Sequence, residues 1–365
     1  MQIFTTVAVI SGISGILAFL ITLANRTVND YGDIKITIND SKVYEARGGS
    51  SLLSLLIDNE VFIPSACGGK GSCGFCKAKV LEGAGQVLPT EKSYISDEEE
   101  KEGIRLCCQV KVKNDIRLEI DETLFNVRQY AYTVHSNENV TPTIKHLVLD
   151  LPEGKEIHFK AGQYIQLLAP KYKGNRDEVY RAYSLASSPN KKHQIELLIG
   201  YIPEGIATTY VHYHLNPGEK VTVVGPYGDF YYQESDREMI MVAIGTGMAP
   251  ILSILRYMRE NHLTHRKAKF FFGAKNTSEL FFLDEFAELQ KALPNFEFIP
   301  SLTRCTEEEC WLGEKGRVTD TIEKYVTDGP SCEAYLCGSG KMIDSVVALL
   351  REKGLAEEHI YYDKF

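Results

Sequence analysis

Residues 5–24 (TTVAVISGISGILAFLITLA) contain no charged side chain. Twenty helical residues span about 30 Å, the thickness of a bilayer's hydrocarbon core. Together with Arg26, Lys35 and Lys42 beyond it, the stretch predicts a single membrane anchor over residues 1–26, with everything that follows in the cytoplasm. A secretory signal fits less well, because the leading residues carry no Lys or Arg and no A-x-A site follows. The small residues Ala8, Ser11, Gly12, Gly15, Ala18 and Thr22 fall on one helical stripe, which predicts packing against other membrane helices.

After the anchor the pattern alternates. Ile34–Ile38 and Val43–Ala46 read as a hairpin, Leu52–Ile57 as a short apolar helix capped by Ser50 or Ser51, and Lys77–Leu81 and Leu106–Val112 as further strands. This is the pattern of a β-grasp domain over residues 33–126. Evenly spaced short strands follow over residues 127–233: Val127–Val134, Thr143–Leu149, Tyr164–Leu168, Ile195–Tyr201 and Val221–Val224. They predict a small antiparallel barrel. From residue 236 onward, continuous apolar strands (239–244, 269–274, 296–302 and 334–338) alternate with helices, which predicts a parallel sheet covered on both faces. The fold class expected is thus multidomain, α+β followed by α/β.

Composition is that of a soluble globular protein, and a formal charge of −9 argues against a nucleic-acid partner. The acidic run at 97–102 reads as a solvated surface, with docking of a basic partner as the alternative. Nine cysteines without paired spacing point to a reducing compartment.

The chemistry concentrates in SACGGKGSCGFCKAKV…IRLCCQV. Five residues separate Cys67 from Cys73, two separate Cys73 from Cys76, and thirty-one pass before Cys108. Three thiolates in a glycine-rich loop plus a distant fourth suit a 2Fe–2S cluster, since Gly68, Gly69, Gly71 and Gly74 let backbone N–H groups close round the sulfurs. A structural zinc would call for a second Cys-x-x-Cys hook. The fourth ligand is one of the neighbours Cys107 and Cys108, which in a strand face opposite ways; Cys108 is preferred.

Three further motifs suit nucleotide cofactors. RAYSLAS (181–187) offers the Arg181 fork for a pyrophosphate, the Tyr183 ring as a flat face and Ser184 as a short hydrogen bonder. GIATTY (205–210) runs a glycine turn into Thr208 at a helix start. GTGMAP (245–250) follows an apolar strand and opens a helix, the context of a dinucleotide pyrophosphate site. Cys337 ends an apolar strand before Gly338, where parallel sheets bind ligands. Glu279 follows the second parallel strand without an Arg pair for a 2′-phosphate, which favours NADH over NADPH, Lys275 being the one basic residue that opposes this.

These motifs, with LPTE (88–91), YLCG and the closing YYDKF, occur in this order in a known family, and the whole chain resembles the F subunit of the sodium-translocating NADH:quinone reductases. The resemblance implies a membrane helix, a 2Fe–2S ferredoxin domain, an FAD barrel and an NADH domain, anchored in the bacterial inner membrane as one pass. It implies that Cys67, Cys73, Cys76 and Cys108 ligate the cluster, the family's RL-x-CQV pattern placing the ligand directly before the Gln. It further implies that Arg181, Ala182, Tyr183, Ser184, Gly205 and Thr208 hold FAD. Gly245, Thr246, Gly247, Cys337 and Gly338 would face the nicotinamide dinucleotide, with Phe365 over the flavin and Ser184 and Cys337 nearest the reacting atoms. Gly200 departs from the pattern, standing where relatives often carry a basic residue for FAD. Electrons would pass from NADH through FAD, which divides the pair, to the one-electron cluster. From there they would reach membrane subunits of a respiratory complex, with quinone as the final acceptor. Two rivals are the reductase of a mono- or dioxygenase, normally soluble, and a non-catalytic ferredoxin-type carrier.

Overall fold

The computed structural model describes residues 11–19, 31–65, 67–306 and 311–365 of the chain. Residues 11–19 are helical and their side chains are exposed; the rest of the predicted anchor lies outside the described residues. Among the described residues no helix is long and apolar enough to cross a membrane. The chain divides into two compact units, Met1–Val127 and Arg128–Phe365.

In the first unit, β1 (Asp33–Ile38) and β2 (Lys42–Arg47) form the expected hairpin. Its turn holds Asn39 and Asp40 at φ of 51° and 52°, which their short polar side chains tolerate. Ile34, Ile36 and Ile38 turn inward, and helix α1 (Leu52–Asp58) lays four leucines on them, its first turn capped by the Ser51 hydroxyl. Strand β3 (Lys77–Glu82), helix α2 (Asp97–Lys101), β4 (Ile104–Leu106) and β5 (Ile116–Glu119) complete the unit. The sheet runs β2-β1-β5-β3-β4, with β1 and β5 parallel, the β-grasp arrangement. The acidic run is α2 itself, closed by a Ser96–Glu99 capping box, with no buried residue.

The strand expected over Leu106–Val112 is not there. β4 ends at Leu106, residues 107–109 turn, and the partner of β1 and β3 comes from Ile116–Glu119 instead. The turn forms because the Leu106 N–H is taken by the Glu91 carboxylate at 3.0 Å, while the Leu106 carbonyl accepts from Gln109 N–H at 2.8 Å. Glu91 does more than that. It grips buried Arg105 through two bonds of 2.9 and 2.7 Å, and the other guanidinium N–H groups donate to the carbonyls of Ala84, Gly85 and Gln86. All the polar atoms of this buried pair are thereby matched, the condition under which such a pair is tolerated.

The second unit has two halves. Strands β6 (Arg128–Asn139), β7 (Ile144–Asp150), β8 (Tyr164–Ala169), β9 (Val179–Ser184), β10 (Gln194–Gly200) and β11 (Lys220–Tyr227) form an antiparallel sheet in the order β10-β7-β6-β11-β8-β9. Its two edges meet at one bridge, Leu185–Leu197, and helix α3 (Ile206–Tyr213) plugs the apolar interior with Ala207, Tyr210 and Val211.

The other half is a parallel sheet of β12 (Glu238–Ile244), β13 (Ala268–Ala274), β14 (Phe296–Leu302), β15 (Glu314–Lys315), β16 (Cys332–Gly338) and β17 (Ile360–Lys364). It is interleaved with α4 (Met248–Glu260), α5 (Leu283–Ala292), α6 (Val318–Tyr325) and α7 (Gly340–Glu352). Alternate residues of β12 feed opposite cores: Met239, Met241 and Ala243 go to one side, Ile240 and Val242 to the other. The order β15-β14-β13-β12-β16-β17 reverses between β12 and β16, the point at which open α/β sheets hold ligands.

The Glu91–Arg105 pair sets a pH expectation for the first unit. Burial pushes the Glu91 carboxyl up, but the Arg105 fork and the N–H groups of Leu88 and Leu106 outweigh it and hold it below the ordinary carboxylate range. A depressed folded value means that the contribution is complete above the unfolded value, about 4.3, and is lost as pH falls through the folded one. Arg105→Met would leave a buried, unpaired carboxylate and cost roughly 3–5 kcal/mol. Urea unfolding of the wild-type and variant chains at pH 7 checks this, the gap narrowing as the pH is lowered past 4.

Candidate functional site

The four cysteines expected as ligands sit as two pairs. Cys73 lies in position to donate its S–H to the Cys67 sulfur, and Cys76 to the Cys108 sulfur. A 2Fe–2S cluster asks for two thiolates on each iron, so the pairing suits it. Backbone N–H groups point at the sulfurs: those of Ser72 and Lys70 at Cys67, Phe75 at Cys73 and Gly71 at Cys108. Burial pushes the Cys67 thiol up, but these donors and the Cys73 thiol bring it down to about 7. The Cys76 thiol lowers Cys108 to about 6, although burial opposes it. Their partners move the other way, burial pushing Cys73 up and the Cys108 sulfur together with burial pushing Cys76 up, so each pair shares one proton that metal ligation would displace. Among the described residues no group of three or more Cys, His, Asp or Glu side chains is gathered to hold a metal ion.

The turn at 107–109 separates the neighbouring cysteines. Cys107 is fully buried among the apolar side chains of the unit, which pushes its thiol well up, while Cys108 faces the loop. The glycines are there for space: a Cβ on Gly74 would lie 2.8 Å from the Tyr94 ring, and Gly68, Gly69, Gly71 and Gly74 all have positive φ.

In the second unit one nucleotide motif, GTGMAP, reaches a cavity of about 640 Å³ where the two halves meet, whereas Arg181, Ala182, Tyr183, Ser184, Gly205 and Thr208 do not line it. Thr143 and Gly200 come from the barrel, Gly245 and Thr246 from the turn after β12, Lys341 from the start of α7, and Phe365 closes the chain. At Gly200 a Cβ would approach the Thr246 methyl to 3.3 Å, a tight contact with the facing turn. Gly247, Cys337 and Gly338 do not line the cavity. A Cβ on Gly247 would lie 2.2 Å from the Cys337 carbonyl oxygen, so Gly247 lets the turn after β12 rest directly on the end of β16. The Cys337 side chain is buried beside that contact, and burial pushes its thiol far up.

The RAYSLAS residues lie on β9. Pairing with Ile165 and Leu167 puts Tyr183 and Arg181 on the face that carries the barrel core, and Ser184 and Ala182 on the other. Thr208 is committed locally. Its hydroxyl accepts from Ile202 N–H at 3.2 Å and donates to the Ile202 carbonyl at 3.1 Å, which leaves the N–H groups after Gly205, not the hydroxyl, to meet an anion. Gly205 is required there, since a Cβ would sit 2.6 Å from the Thr208 oxygen.

Sequence patterns alone do not reveal what joins the halves. Arg256, on the buried side of α4, donates to Glu285 at 2.6 and 2.8 Å, to Glu196 of β10 at 2.7 Å and to the Ala186 carbonyl at 2.9 Å. Glu196 also takes His146 and Lys191, both at 2.9 Å, and its carboxyl is held far below the ordinary range against the pull of burial. Three residues before Arg256 on the same helix, Ser253 donates to the Ser187 carbonyl at 2.7 Å. The helix that begins at GTGMAP thus holds the end of the RAYSLAS segment. The available signal was an arginine within a run of ten mostly apolar residues.

The comparisons agree with this geometry. Residues 36–113 match the 2Fe-2S iron-sulfur cluster binding domain family, 131–232 the oxidoreductase FAD-binding domain and 241–348 the oxidoreductase NAD-binding domain. An Amycolatopsis cytochrome P-450 reductase superposes with a TM-score of 0.74 at 26% identity, covering 91% of this chain and 98% of that one. The ferredoxin reductase in carbazole 1,9a-dioxygenase shares the fold, with a TM-score of 0.70 at 22% identity over 92% of this chain and 98% of its own. Fold and site define an iron–sulfur flavoprotein oxidoreductase that binds a 2Fe–2S cluster, FAD and NAD. The full-length relatives narrow the class. The F subunit of the Na(+)-translocating NADH-quinone reductase of Idiomarina loihiensis is 35% identical over 405 aligned positions, covering 100% of this chain and 99% of its own. Its counterpart in Marinomonas is 36% identical over 404, with the same coverage. The chain belongs to the family of these F subunits.

Two predictions follow from the site. Cys108→Ala abolishes the EPR signal of the reduced cluster, whereas Cys107→Ala leaves it and costs stability of roughly 1 kcal/mol for the lost sulfur; the reverse pattern would exchange the two assignments. Arg256→Lys keeps the charge but cannot fork to Glu285 and reach Glu196 together. Stopped-flow reduction of the flavin by NADH then slows by on the order of 10- to 100-fold, with little change in NADH affinity.

Proposed function

We propose that this protein oxidises NADH and passes the electrons through FAD and its 2Fe–2S cluster to partner subunits of a sodium-translocating, quinone-reducing membrane complex. What carries the reading is similarity of 35–36% along the whole chain to relatives named for that activity, with all three cofactor modules present in order. When bound, FAD would supply a two-electron acceptor for NADH that can release electrons singly, and the 2Fe–2S cluster a one-electron relay.

The protein's own groups prepare that chemistry. Cys67, Cys73, Cys76 and Cys108 would hold the cluster as thiolates once metal displaces their protons, with the loop N–H groups at Cys67, Cys73 and Cys108 offsetting the negative charge. Arg181 and the N–H groups after Gly205 would hold the flavin pyrophosphate, and Tyr183, Ala182 and Ser184 are the further β9 residues that would bind FAD. Gly245 and Thr246 receive the NADH pyrophosphate at the start of α4. Gly247, Gly338 and Cys337 shape the floor beneath them, and Phe365 covers the mouth. Cys337 acts here by filling space next to the nicotinamide site, since its thiol is held protonated.

Anchorage in a bacterial inner membrane through residues 1–26, with the catalytic domains cytoplasmic, belongs to the same reading. Supporting it are the uncharged run at 5–24 and the exposed Ile13, Ile16, Leu17 and Phe19 on the helical stretch. Membrane subunits are the partners that would receive the electrons and reduce quinone. The proposed divisions at 127–233 and 236–365 assign the barrel to FAD and the parallel sheet to NADH.

Rapid mixing of the purified full chain with NADH tests the function: flavin absorbance bleaches first and the cluster's spectrum follows. An NADH-insensitive flavin would remove the reading. The cavity also predicts coenzyme choice. Glu279 holds the Lys275 ammonium at 3.1 Å and accepts the Lys275 backbone N–H at 2.9 Å, so the cavity wall after β13 carries a carboxylate that occupies its lysine. NADH is therefore preferred, and Glu279→Gln frees Lys275 and narrows the NADH/NADPH ratio of kcat/KM by about tenfold, the equivalent of one lost charge contact.

A further inference from the structure

The segment that supplies the fourth thiol carries a side chain whose place is unusually well defined. Gln109 turns its carboxamide back over the loop. Its Nε2 donates to Cys108 Sγ at 3.5 Å, and its Oε1 accepts the Thr90 hydroxyl at 2.9 Å. Gly71 makes the room: a Cβ there would lie 2.5 Å from Gln109 Nε2 and 2.8 Å from Cδ. The Gly71 N–H points at the same Cys108 sulfur, so the missing side chain admits a second donor beside the first.

The sulfur decides which end of the amide faces it, since a thiolate only accepts, and the Thr90 hydroxyl, able to donate, holds the other end. With that hydroxyl given to Oε1, the NH₂ group is left for Cys108. Thr90 is itself held in place, because the next residue is Glu91, fastened to Arg105 and to the Leu106 N–H at 3.0 Å. The LPTE segment therefore grips the fourth-ligand turn at two points, once through backbone and once through this amide.

We propose that Gln109, held in place by Thr90, is a positioning residue that raises the reduction potential of the 2Fe–2S cluster through its N–H···S bond to Cys108. The proposal rests on the reading of Cys108 as a ligand. A thiolate that accepts a hydrogen bond carries less negative charge on sulfur, and reduction adds an electron that spreads onto the ligands. The bond thus favours the reduced cluster more than the oxidised one. Removing it makes the cluster harder to reduce while leaving its ligands in place.

An EPR-monitored redox titration of the full-length holoprotein decides the matter. Gln109→Leu, similar in size and without a donor, shifts the cluster midpoint to a more negative potential. Thr90→Val, which removes only a hydroxyl, shifts it the same way by less, and Thr90→Ser restores the wild-type value. The flavin midpoints stay where they are in all three. A Gln109→Leu protein that keeps its cluster at an unchanged potential overturns the proposal; should that variant fail to hold a cluster, an unchanged potential in Thr90→Val overturns it. A Cys108→Ala protein that retains its cluster signal overturns the ligand assignment instead, so the two failures are told apart.

Discussion

The cavity exists because one arginine ties two differently built halves together. Arg256 lies on α4, whose first turn follows GTG, and reaches Glu196 and the Ala186 carbonyl on the barrel side. Moving a guanidinium and two carboxylates out of water is costly, and only the full set of partners, Glu285, His146 and Lys191 included, offsets it. A network of this kind has one good geometry and many poor ones. It therefore fixes the angle between the strand carrying Arg181, Tyr183 and Ser184 and the turn carrying Gly245 and Thr246. Two-electron transfer between bound partners depends on such alignment far more than on affinity.

The first unit solves a related problem with the same device at smaller scale. Glu91 and Arg105 are buried and fully bonded, and their purpose is legible from where the bonds go. They end β4 at Leu106 and start the turn that drives Cys107 inward and Cys108 outward. Glycines then complete what the ion pair begins. At Gly71 and Gly247 alike, absent side chains let a neighbouring group come within contact distance, the Gln109 amide in one case and the Cys337 carbonyl in the other. Both buried ion pairs thus act on ligand-bearing segments from one layer behind them.

The periodic elements were legible from the chain alone. Ile34, Ile36 and Ile38 alternate because one face of β1 is buried, and the unbroken apolar run of β12 announces a strand covered on both sides. The cysteine spacing and GTGMAP were legible for the same kind of reason, since each is a local constraint on a few consecutive residues. What misled was Leu106–Val112, whose β-favouring residues lost to a carboxylate fifteen positions upstream in the chain. β5, β9, β15 and β17 were overlooked: β5, β15 and β17 are short and gain their stability from neighbours distant in sequence, and β9 carries the polar RAYS residues that hide its alternation.

The sequence by itself determined most element types, the order of the modules, the candidate thiol set to within one neighbour and the glycine turns, because these depend on periodicity and on spacing within a loop. Tertiary structure alone decided the rest. It placed Cys108 rather than Cys107 against Cys76, spent the Thr208 hydroxyl on its own turn, and filled the space beside Gly200 with Thr246. It also brought Arg256 to Glu196 across sixty positions of chain. The reason is physical: hydrogen bonds and close contacts are satisfied by whichever group folding brings within about 3 Å, and no pattern along the chain records that distance.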